Sequence, residues 1–536
     1  MANFVFISPY DQVALGVRYL SSTLKAAGHK VRILFLKDAY ANRSAENLRV
    51  RSGYLGETAS CSDREYEIVR DLMREFRAEF VGLSFSSQSF GLSAWLSANF
   101  RRDFPGLPII WGGVDPAVHP ELGIEHCDFL GIGESEDSLL ELVETISAGK
   151  DPSGVQGFWM RKGAQVIRNP LRPLIQDLDR LPFPDYEPGE KFLIQDDQYR
   201  PLHEAFNYII MTQRGCPHKC TFCANSPLRD LHPGERYVRR RSVQNVIAEL
   251  RQIRRIYPDL NFIQIYDDVF TINKKWLQEF AEQYKREIAL PFWCYTYPGQ
   301  CDEETAALLR DAGVIFMHMG LQSASERVLK DTYSRPPAAK IVETATILHR
   351  HGVPIAYDIL AGNPLETDED HLATLELLLA LPRPFRLVPI MPLCLFFNLP
   401  ITRLAKEQGV PLRQPEGVNG YLPAGETHFR FWCAIFNLTQ YPILDKEFIC
   451  RLARDPEMKF HADILEEFEK ALLNSYWVWP EPGHFTSARE EAALAKKDLQ
   501  QVTAERDHLR ARLAAIEGKR SYRVYKKLKE ILAGQA

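Results

Sequence analysis

Short apolar runs alternate with amphipathic segments along most of this chain, in two separate series. In the first 150 residues the apolar runs are NFVFIS (Asn3–Ser8), KVRILFL, FVGLSFSS (Phe80–Ser87), LPIIWGG (Leu107–Gly113) and DFLGIGE (Asp128–Glu134). Between them Val13, Val17, Leu20 and Leu24 recur at helical spacing, Gly28 can end that helix, and Arg64–Arg77 reads as another. This alternation predicts an open parallel sheet with helices on both faces, and ligands in such sheets sit beyond the carboxyl ends of the strands. The second series runs YIIMTQ, FIQIYDD, FWCYTY, VIFMHMG, IAYDILAG and RLVPIMP. Helical stretches separate these runs: Ser242–Tyr257, Lys274–Glu287, Glu303–Asp311, Ala338–His349 and Asp370–Leu381. Six such units predict a curled, barrel-like parallel sheet with its chemistry at the carboxyl ends.

Between the series, LDRLPFPDYEPG is rich in Pro and Asp, and residues 151–203 are expected to be a linker laid on a surface. After Leu395 the pattern becomes mostly helical with aromatic patches, where Trp432, Tyr476, Trp477 and Trp479 are core, interface or pocket residues. In the last segment Ala495, Leu499, Val502, Leu509, Leu513 and Ile516 fall on heptad-like spacing, interrupted by Arg506. A coiled-coil-like tail is expected there, serving as a solvated helix, as a contact for a protein partner or further copy, or as a contact for an anionic surface. The expected division is 1–150, 151–203, 204–395, 396–487 and 488–536.

A chain of 536 residues exceeds what one core usually supports. A net charge of -5 gives no reason to expect nucleic-acid binding by the chain as a whole. Ten cysteines show no small disulfide framework, the N-terminus has no basic, cleavable leader pattern, and Pro, Arg or Asp interrupts each long apolar run. Reduced cytoplasm, with no transmembrane segment, is the simplest setting.

Three of the cysteines, Cys216, Cys220 and Cys223, fall within RGCPHKCTFCANS, just after the first strand of the second series. A disulfide would leave one thiol over. Structural zinc wants four ligands, and no second CxxC or CxxH supplies the remainder. His218 stands beside Pro217 and is expected to face solvent. Thiolates can also hold an iron–sulfur cubane, where three ligands leave one iron open. Gly112, Gly113, Gly131 and Gly133 occupy strand ends in the first series, as tight turns or as places of close backbone approach. No GxGxxG follows the first strand, which counts against a nicotinamide or flavin site.

C-x3-C-x2-C with an aromatic before the last cysteine resembles the signature of the radical SAM superfamily. RRRSVQNVIAELRQI, NFIQIYDDVFTINKKWLQEF, MGLQSASERVLK and YDILAGNPLETDED resemble its cobalamin-binding subgroup. So do PIIWGGVDPAVHPE, DFLGIGESEDSLLELV and the connector LDRLPFPDY, and the likeness covers residues 1–395. It implies an α/β chain: an N-terminal Rossmann-like cobalamin-binding domain, a partial (β/α)6 TIM-like radical SAM barrel and a mostly helical C-terminal region. By the same resemblance Cys216, Cys220 and Cys223 ligate a 4Fe-4S cluster whose open iron binds S-adenosylmethionine. Its reductive cleavage then yields a 5′-deoxyadenosyl radical. Phe222 would shield the cluster. Asp267 and Asp268 would approach the methionine amino group or ribose, unless they are strand-end turn formers. Gln322 and Ser323 would lie near the methionine or ribose portion, and backbone from Leu360 to Gly362 would line adenine.

One departure stands out. The family's cobalamin loop D-x-H-x-x-G is missing: this chain has SPYDQVALG and SSQSFGLSA instead, and His119 belongs to the GG-x-x-P loop. Cobalamin is therefore expected on backbone near Ser8, Tyr10, Ser84, Ser87, Gly112, Gly113, Gly131, Gly133 and Glu134, with no histidine beneath the cobalt. The resemblance implies methyl transfer to an unactivated carbon of a small molecule or biosynthetic intermediate, with a flavodoxin- or ferredoxin-type electron donor. The alternatives are a radical rearrangement, cyclisation or oxidation without methyl transfer, and a non-catalytic iron–sulfur scaffold.

Overall fold

The computed structural model describes residues 1–37, 60–202, 207–423, 426–442 and 444–475. The expected coiled-coil tail, with Tyr476, Trp477 and Trp479, lies outside these residues.

Strands β1 (Asn3–Pro9), β2 (Lys30–Leu36), β3 (Phe80–Ser84), β4 (Ile109–Gly112) and β5 (Phe129–Gly131) form a parallel sheet in the order 5-4-3-1-2. Alternate residues of each strand face opposite sides, and here both sides are apolar. Val5, Ile7, Val81, Leu83 and Trp111 pack with Val69, Leu72, Leu96 and Phe100 of helices Asp63–Glu75 and Phe90–Asp103. Phe4, Phe6, Ile33, Phe35 and Ile110 pack with Val17, Leu24, Leu142 and Val143 of helices Leu15–Ala26 and Glu136–Ser147.

The stretch expected to be a linker does more than connect. β6 (Phe158–Lys162) and β7 (Gln165–Arg168) form an antiparallel hairpin on β5. β8 (Lys191–Gln195) runs parallel beside β2, and β9 (Gln198–Pro201) closes that edge. Of these four, β7 and β9 are the edges of the sheet, exposed or half-buried and rich in polar residues, and β6 and β8 are short and flanked by charge, so none carries the long apolar run that marks the inner strands. Only the Pro-rich piece between them behaves as a connector. It is pinned by buried Asp185, which accepts from Ser21 Oγ at 2.6 Å and Lys191 Nζ at 2.7 Å and pairs with Lys25 at 2.6 Å.

The second sheet is a parallel arc of six strands. In order these are β10 (Asn207–Ile210), β13 (Phe262–Ile265), β14 (Phe292–Thr296), β15 (Val314–Gln322), β16 (Ile355–Ala361) and β17 (Phe385–Pro392). A two-residue ribbon, β11 (Gln213–Arg214) against β12 (Arg239–Arg240), brackets the cysteine loop between them. The outer helices cover one face of the arc with the largest core of the protein, including Ile263, Met317, Tyr357 and Leu375.

The C-terminal region holds helices, with Trp432 fully buried as a core residue. It also holds a small sheet the sequence did not announce: β18 (Leu395–Phe396), β19 (Leu412–Arg413) and β20 (Gly420–Pro423), in the order 18-20-19. The loop between β19 and β20 docks on the first half of the chain. Gly91 N donates to Gly417 O at 2.8 Å, and a Cβ on Gly91 would sit 2.6 Å from Gly417 Cα.

Candidate functional site

The cysteine loop is built on Asp267. This carboxylate is fully buried at the end of β13 and accepts from Thr212 N at 2.6 Å, Gln213 N at 3.0 Å and the Thr212 hydroxyl. It fixes the chain that enters the loop, so the expected contact of Asp267 with a cofactor is corrected: its oxygens are spent on backbone. Gly215 follows at φ +83, where a Cβ would meet Tyr237 O at 2.4 Å, so the turn requires glycine. Arg229 ties the loop from below by donating to the carbonyls of Cys216 and His218.

Cys216, Cys220 and Cys223 pack into one small group with Phe222, Val269, Ile272 and Tyr297, and none is in a disulfide. Donors face the sulfurs: Tyr297 Oη at 3.9 Å and Arg335 Nη1 at 3.7 Å from Cys220 Sγ, and Asn225 Nδ2 at 3.7 Å from Cys223 Sγ. Burial pushes the Cys216 thiol up to about 12 and raises Cys223 as well. The Cys216 and Cys223 thiols are therefore held protonated until a metal takes the proton's place. His218 does not face solvent as expected. It is half-buried and stacked on Tyr297 at 3.5 Å between ring centroids, and burial, then Arg335 and Arg229, lower its pKa to about 4. Among the described residues no group of three or more His, Cys, Asp or Glu converges on a single-ion site; a cubane is wider than one ion and meets its thiolates at separate corners.

The neighbouring strand ends divide into residues that open to the cleft and residues that do not. Asp268 is exposed beside the cysteines and accepts from Asn225 Nδ2 at 3.1 Å. The protein crowded around its carboxyl, with Asp267 adding to the effect, pushes its pKa up to about 6, although the residue opens to solvent. Gln322 has φ +66 at a register slip between β15 and β16, and its Oε1 is buried without a hydrogen-bond partner. Ser323 is corrected. It is fully buried and its hydroxyl donates to Glu366 Oε1 at 2.7 Å, so it serves the loop after β16. Phe222 meets Tyr333 edge-on at 5.0 Å and shares a cluster with Leu360. At Gly362 the close approach is to Phe429, whose Cδ2 would lie 2.9 Å from a Cβ.

Two residues missed in the sequence are His318 and Asp358. They stand 3.5 Å apart on β15 and β16, each with a buried atom, Nδ1 and Oδ1, that makes no hydrogen bond. Trp293, Tyr295 and Phe316 surround His318. Counting back in twos from Gln322 would have found His318, since alternate strand residues share a face.

A cavity of about 350 Å³ lies where the first sheet meets this loop. Ser84, Gly112, Gly113, Gly131, Gly133 and Glu134 line it from the strand ends of the first sheet, and Arg214, Gly215, His232 and Tyr237 from the cysteine loop and the ribbon that brackets it. A Cβ on Gly112 would find open space, whereas Gly113 has φ +103 and its Cβ would strike Phe85 O at 2.6 Å. Ser8, Tyr10 and Ser87 are not among the residues that line this cavity. Ser8 is buried and donates to Asp11 O at 2.9 Å, the Tyr10 hydroxyl reaches Ser60 O at 3.2 Å, and the Ser87 carbonyl accepts Asn419 N at 3.1 Å. Glu134 lines the wall, but its carboxylate is engaged with Arg214 Nη1 at 3.1 Å, Arg239 Nη1 at 2.8 Å and Ile175 N at 2.9 Å. Burial would raise its pKa, yet the two guanidiniums outweigh burial and hold the carboxyl below its ordinary value.

A family model described as the B12 binding domain matches residues 5–143, and one described as the radical SAM superfamily matches residues 210–378. The chain is a radical SAM enzyme with a B12-binding domain. It is similar to an uncharacterized methyltransferase, PH0819, of Pyrococcus horikoshii, 27% identical over 319 residues, covering 59% of this chain and 67% of that protein. It is also similar to cytidylyl-2-hydroxyethylphosphonate methyltransferase of Streptomyces wedmorensis, 26% identical over 401 residues, covering 67% and 72%. The structure of the radical S-adenosylmethionine methyltransferase TsrM from Kitasatospora setae superposes with a TM-score of 0.62 at 16% identity, over 83% of this chain and 90% of that one, which establishes the shared fold.

The enzyme's cofactors are accordingly a 4Fe-4S cluster, S-adenosylmethionine and cobalamin, and its residues fit them. The three thiols share one lining, and N–H and O–H groups meet the sulfurs of Cys220 and Cys223. The cavity offers glycine backbone and apolar side chains on one wall and the approach to Cys216 on the other. His119 is not free to sit beneath cobalt: Nδ1 is 2.9 Å from Asp115 Oδ1 and Nε2 is 2.7 Å from Phe397 O. No described helix is long and apolar enough to cross a membrane.

Proposed function

We propose that this enzyme transfers a methyl group to an unactivated carbon of a small-molecule substrate. The observation that carries this reading is the cavity whose walls come from the first sheet and from the cysteine loop. One wall is the glycine rim of the first, and the other is Arg214–Gly215, which runs directly into Cys216. The names of the two curated relatives, both methyltransferases, support it. When bound, the cluster and S-adenosylmethionine supply a 5′-deoxyadenosyl radical, and cobalamin supplies the methyl group.

The chain's own residues hold and enclose this chemistry. Cys216, Cys220 and Cys223 ligate the cluster, while Arg335, Tyr297 and Asn225 donate to their sulfurs and Phe222 keeps water from them. Asp268 and Gln322 offer acceptors to the amino and hydroxyl groups of S-adenosylmethionine, and the Leu360–Gly362 backbone lines its adenine. Ser84, Gly112, Gly131 and Gly133 give the corrinoid backbone to rest on. Residues 1–150 carry cobalamin, with strands from 151–203 closing the edges of their sheet. Residues 204–395 carry the cluster, and 396–487 cover the mouth of the arc. A flavodoxin- or ferredoxin-type protein in the cytoplasm supplies the electron, and residues 488–536 serve a protein partner or a further copy.

The test is anaerobic reconstitution with iron, sulfide and methylcobalamin, followed by desalting, and then incubation of the enzyme and a reductant with an extract of small metabolites. Bound cobalamin near one per chain, release of 5′-deoxyadenosine and a metabolite heavier by one methyl are expected. 5′-Deoxyadenosine formed with an intact cluster but no bound cobalamin would replace methyl transfer with rearrangement, cyclisation or oxidation.

A further inference from the structure

The cysteine-loop wall of the cavity carries a polar atom that faces the opening and makes no hydrogen bond among the described residues. His232 is 5% exposed. Its Nδ1 lies 3.0 Å from Glu235 Oε1, while Nε2 has no hydrogen-bond partner among the described residues. Nε2 is turned toward Gly133 on the opposite wall, where a Cβ would sit 3.2 Å from it, and both residues line the cavity. Gly133 has φ +84 and carries no side chain to cover that nitrogen.

The tautomer follows from Glu235. Its Oε2 accepts from Leu174 N at 2.7 Å. Burial pushes its carboxyl up, but this amide and His232 outweigh burial and hold it ionised. A carboxylate can only accept, so Nδ1 carries the proton and Nε2 presents a lone pair to the cavity. The polar neighbours on the same wall are already committed: Arg214 to Glu134 and Glu136, Arg239 to Glu134, and the Tyr237 hydroxyl to Asn225 Oδ1 at 3.0 Å. An acceptor that faces a cavity is open to water or to a ligand, and a ligand that bears N–H groups on its rim and fills the cavity takes the water's place.

We infer, resting on the reading that this cavity takes cobalamin, that His232 Nε2 accepts a hydrogen bond from a peripheral amide of the corrinoid. The cysteine-loop wall then grips the cofactor that the first sheet carries. The amide is chosen over the cobalt on position. Ligands of doubly wound sheets centre on the crevice where strand order reverses, here between β1 and β3. Gly133 follows β5, two strands beyond β3, roughly 10 Å away. His232 therefore meets the rim of the ligand.

The experiment uses the full chain with its cluster reconstituted. Hydroxocobalamin binding is measured by equilibrium dialysis for the parent, His232→Ala and His232→Gln, with iron content as the check on folding. Alanine should weaken binding roughly tenfold, the worth of one hydrogen bond. Glutamine, whose amide oxygen reaches the Nε2 position, should recover most of the loss. The cob(II)alamin EPR spectrum should be the same in the parent and His232→Ala. Equal affinity of parent and alanine variant overturns the inference and leaves the function proposed above intact. Glutamine no better than alanine assigns the loss to packing and also overturns it. Nitrogen splitting present in the parent and lost in His232→Ala makes the histidine a cobalt ligand and overturns the rim assignment. A parent enzyme that keeps its cluster and takes up no cobalamin removes the underlying reading and this inference with it.

Discussion

The two parallel sheets are built from equally apolar strands and yet offer their ligands different things. In the first sheet Phe4 and Phe6 face one helical layer and Val5 and Ile7 the other. The opening lies at the strand ends, where the chain presents backbone and glycine, and the cavity reaches from there to Phe4, Phe6 and Leu139. In the second sheet the outer helices cover one face, while the other carries Tyr266, Tyr295, His318 and Asp358 among strands that are otherwise core. A sheet covered on both sides binds by its edge, with shape set by missing side chains. A curled sheet with one face free binds across a surface, with polar atoms that await a partner. The glycine rim at Gly112–Gly133 and the orphan atoms of Gln322, His318 and Asp358 are the two results.

The largest effect that would sharpen this contrast is at the cysteine loop. Alanine at Cys216, Cys220 or Cys223 should take iron and sulfide from about four of each per chain toward none and abolish cleavage of S-adenosylmethionine. Cys450→Ala, at a half-buried position on helix Lys446–Arg454, should change neither. Cleavage that persists in the triple variant would break the assignment of chemistry to the second sheet.

Next in size is the joint between the sheets. Arg214 precedes the loop and pairs with Glu134 and Glu136 of the first half at 3.1 and 2.5 Å, all three largely buried. Arg214→Ala leaves two buried carboxylates short of a partner, which should cost about 3–5 kcal/mol in urea unfolding. The pH dependence has a definite sign. Glu134 is held below its ordinary value of 4.5, so its contribution is present above that pH and is lost as pH falls through the lower folded value. The variant should therefore lose its stability deficit as the medium is acidified. A deficit that does not change with pH would show that the pair is not what joins the sheets.

Much of this arrangement could be read from sequence where the relevant partners are close in the chain. The inner strands declare themselves by unbroken apolar runs, and the three cysteines by their spacing. What could not be read depends on distant partners. Asp267 looks like a cleft carboxylate until Thr212, 55 residues earlier, is found to spend it. Ser323 is likewise spent by Glu366, 43 residues later. β6 to β9 are hidden by their shortness and by the polar residues at their ends. The β18–β20 sheet is hidden by its brevity. His232 and Glu235, three apart on a loop, carry no sequence pattern that marks them, and only the opposite wall shows what the histidine faces.

The smallest effect is at Glu366, and it turns the comparison into a pair of opposite signs. Glu134 ends a strand of the first sheet and meets two guanidiniums. Glu366 follows the end of β16 in the second sheet and meets a hydroxyl, with burial as the dominant influence. That burial pushes its carboxyl up to about 8, against the lowering effect of Ser323, so it is a neutral acid at pH 7. In the unfolded chain it ionises near its ordinary 4.5. A folded value above the unfolded one gives stability that is complete below pH 4.5 and lost as pH rises through about 8. Glu366→Gln keeps the shape and the acceptor for Ser323 but cannot ionise. Its melting temperature should differ little from the parent at pH 5 and exceed it increasingly toward pH 9, the reverse of the trend at Glu134. Melting curves at pH 5, 7 and 9 decide the matter. A difference between Glu366→Gln and parent that is constant across these values would place an ionised carboxylate in the fold, and the second sheet would then end as the first does.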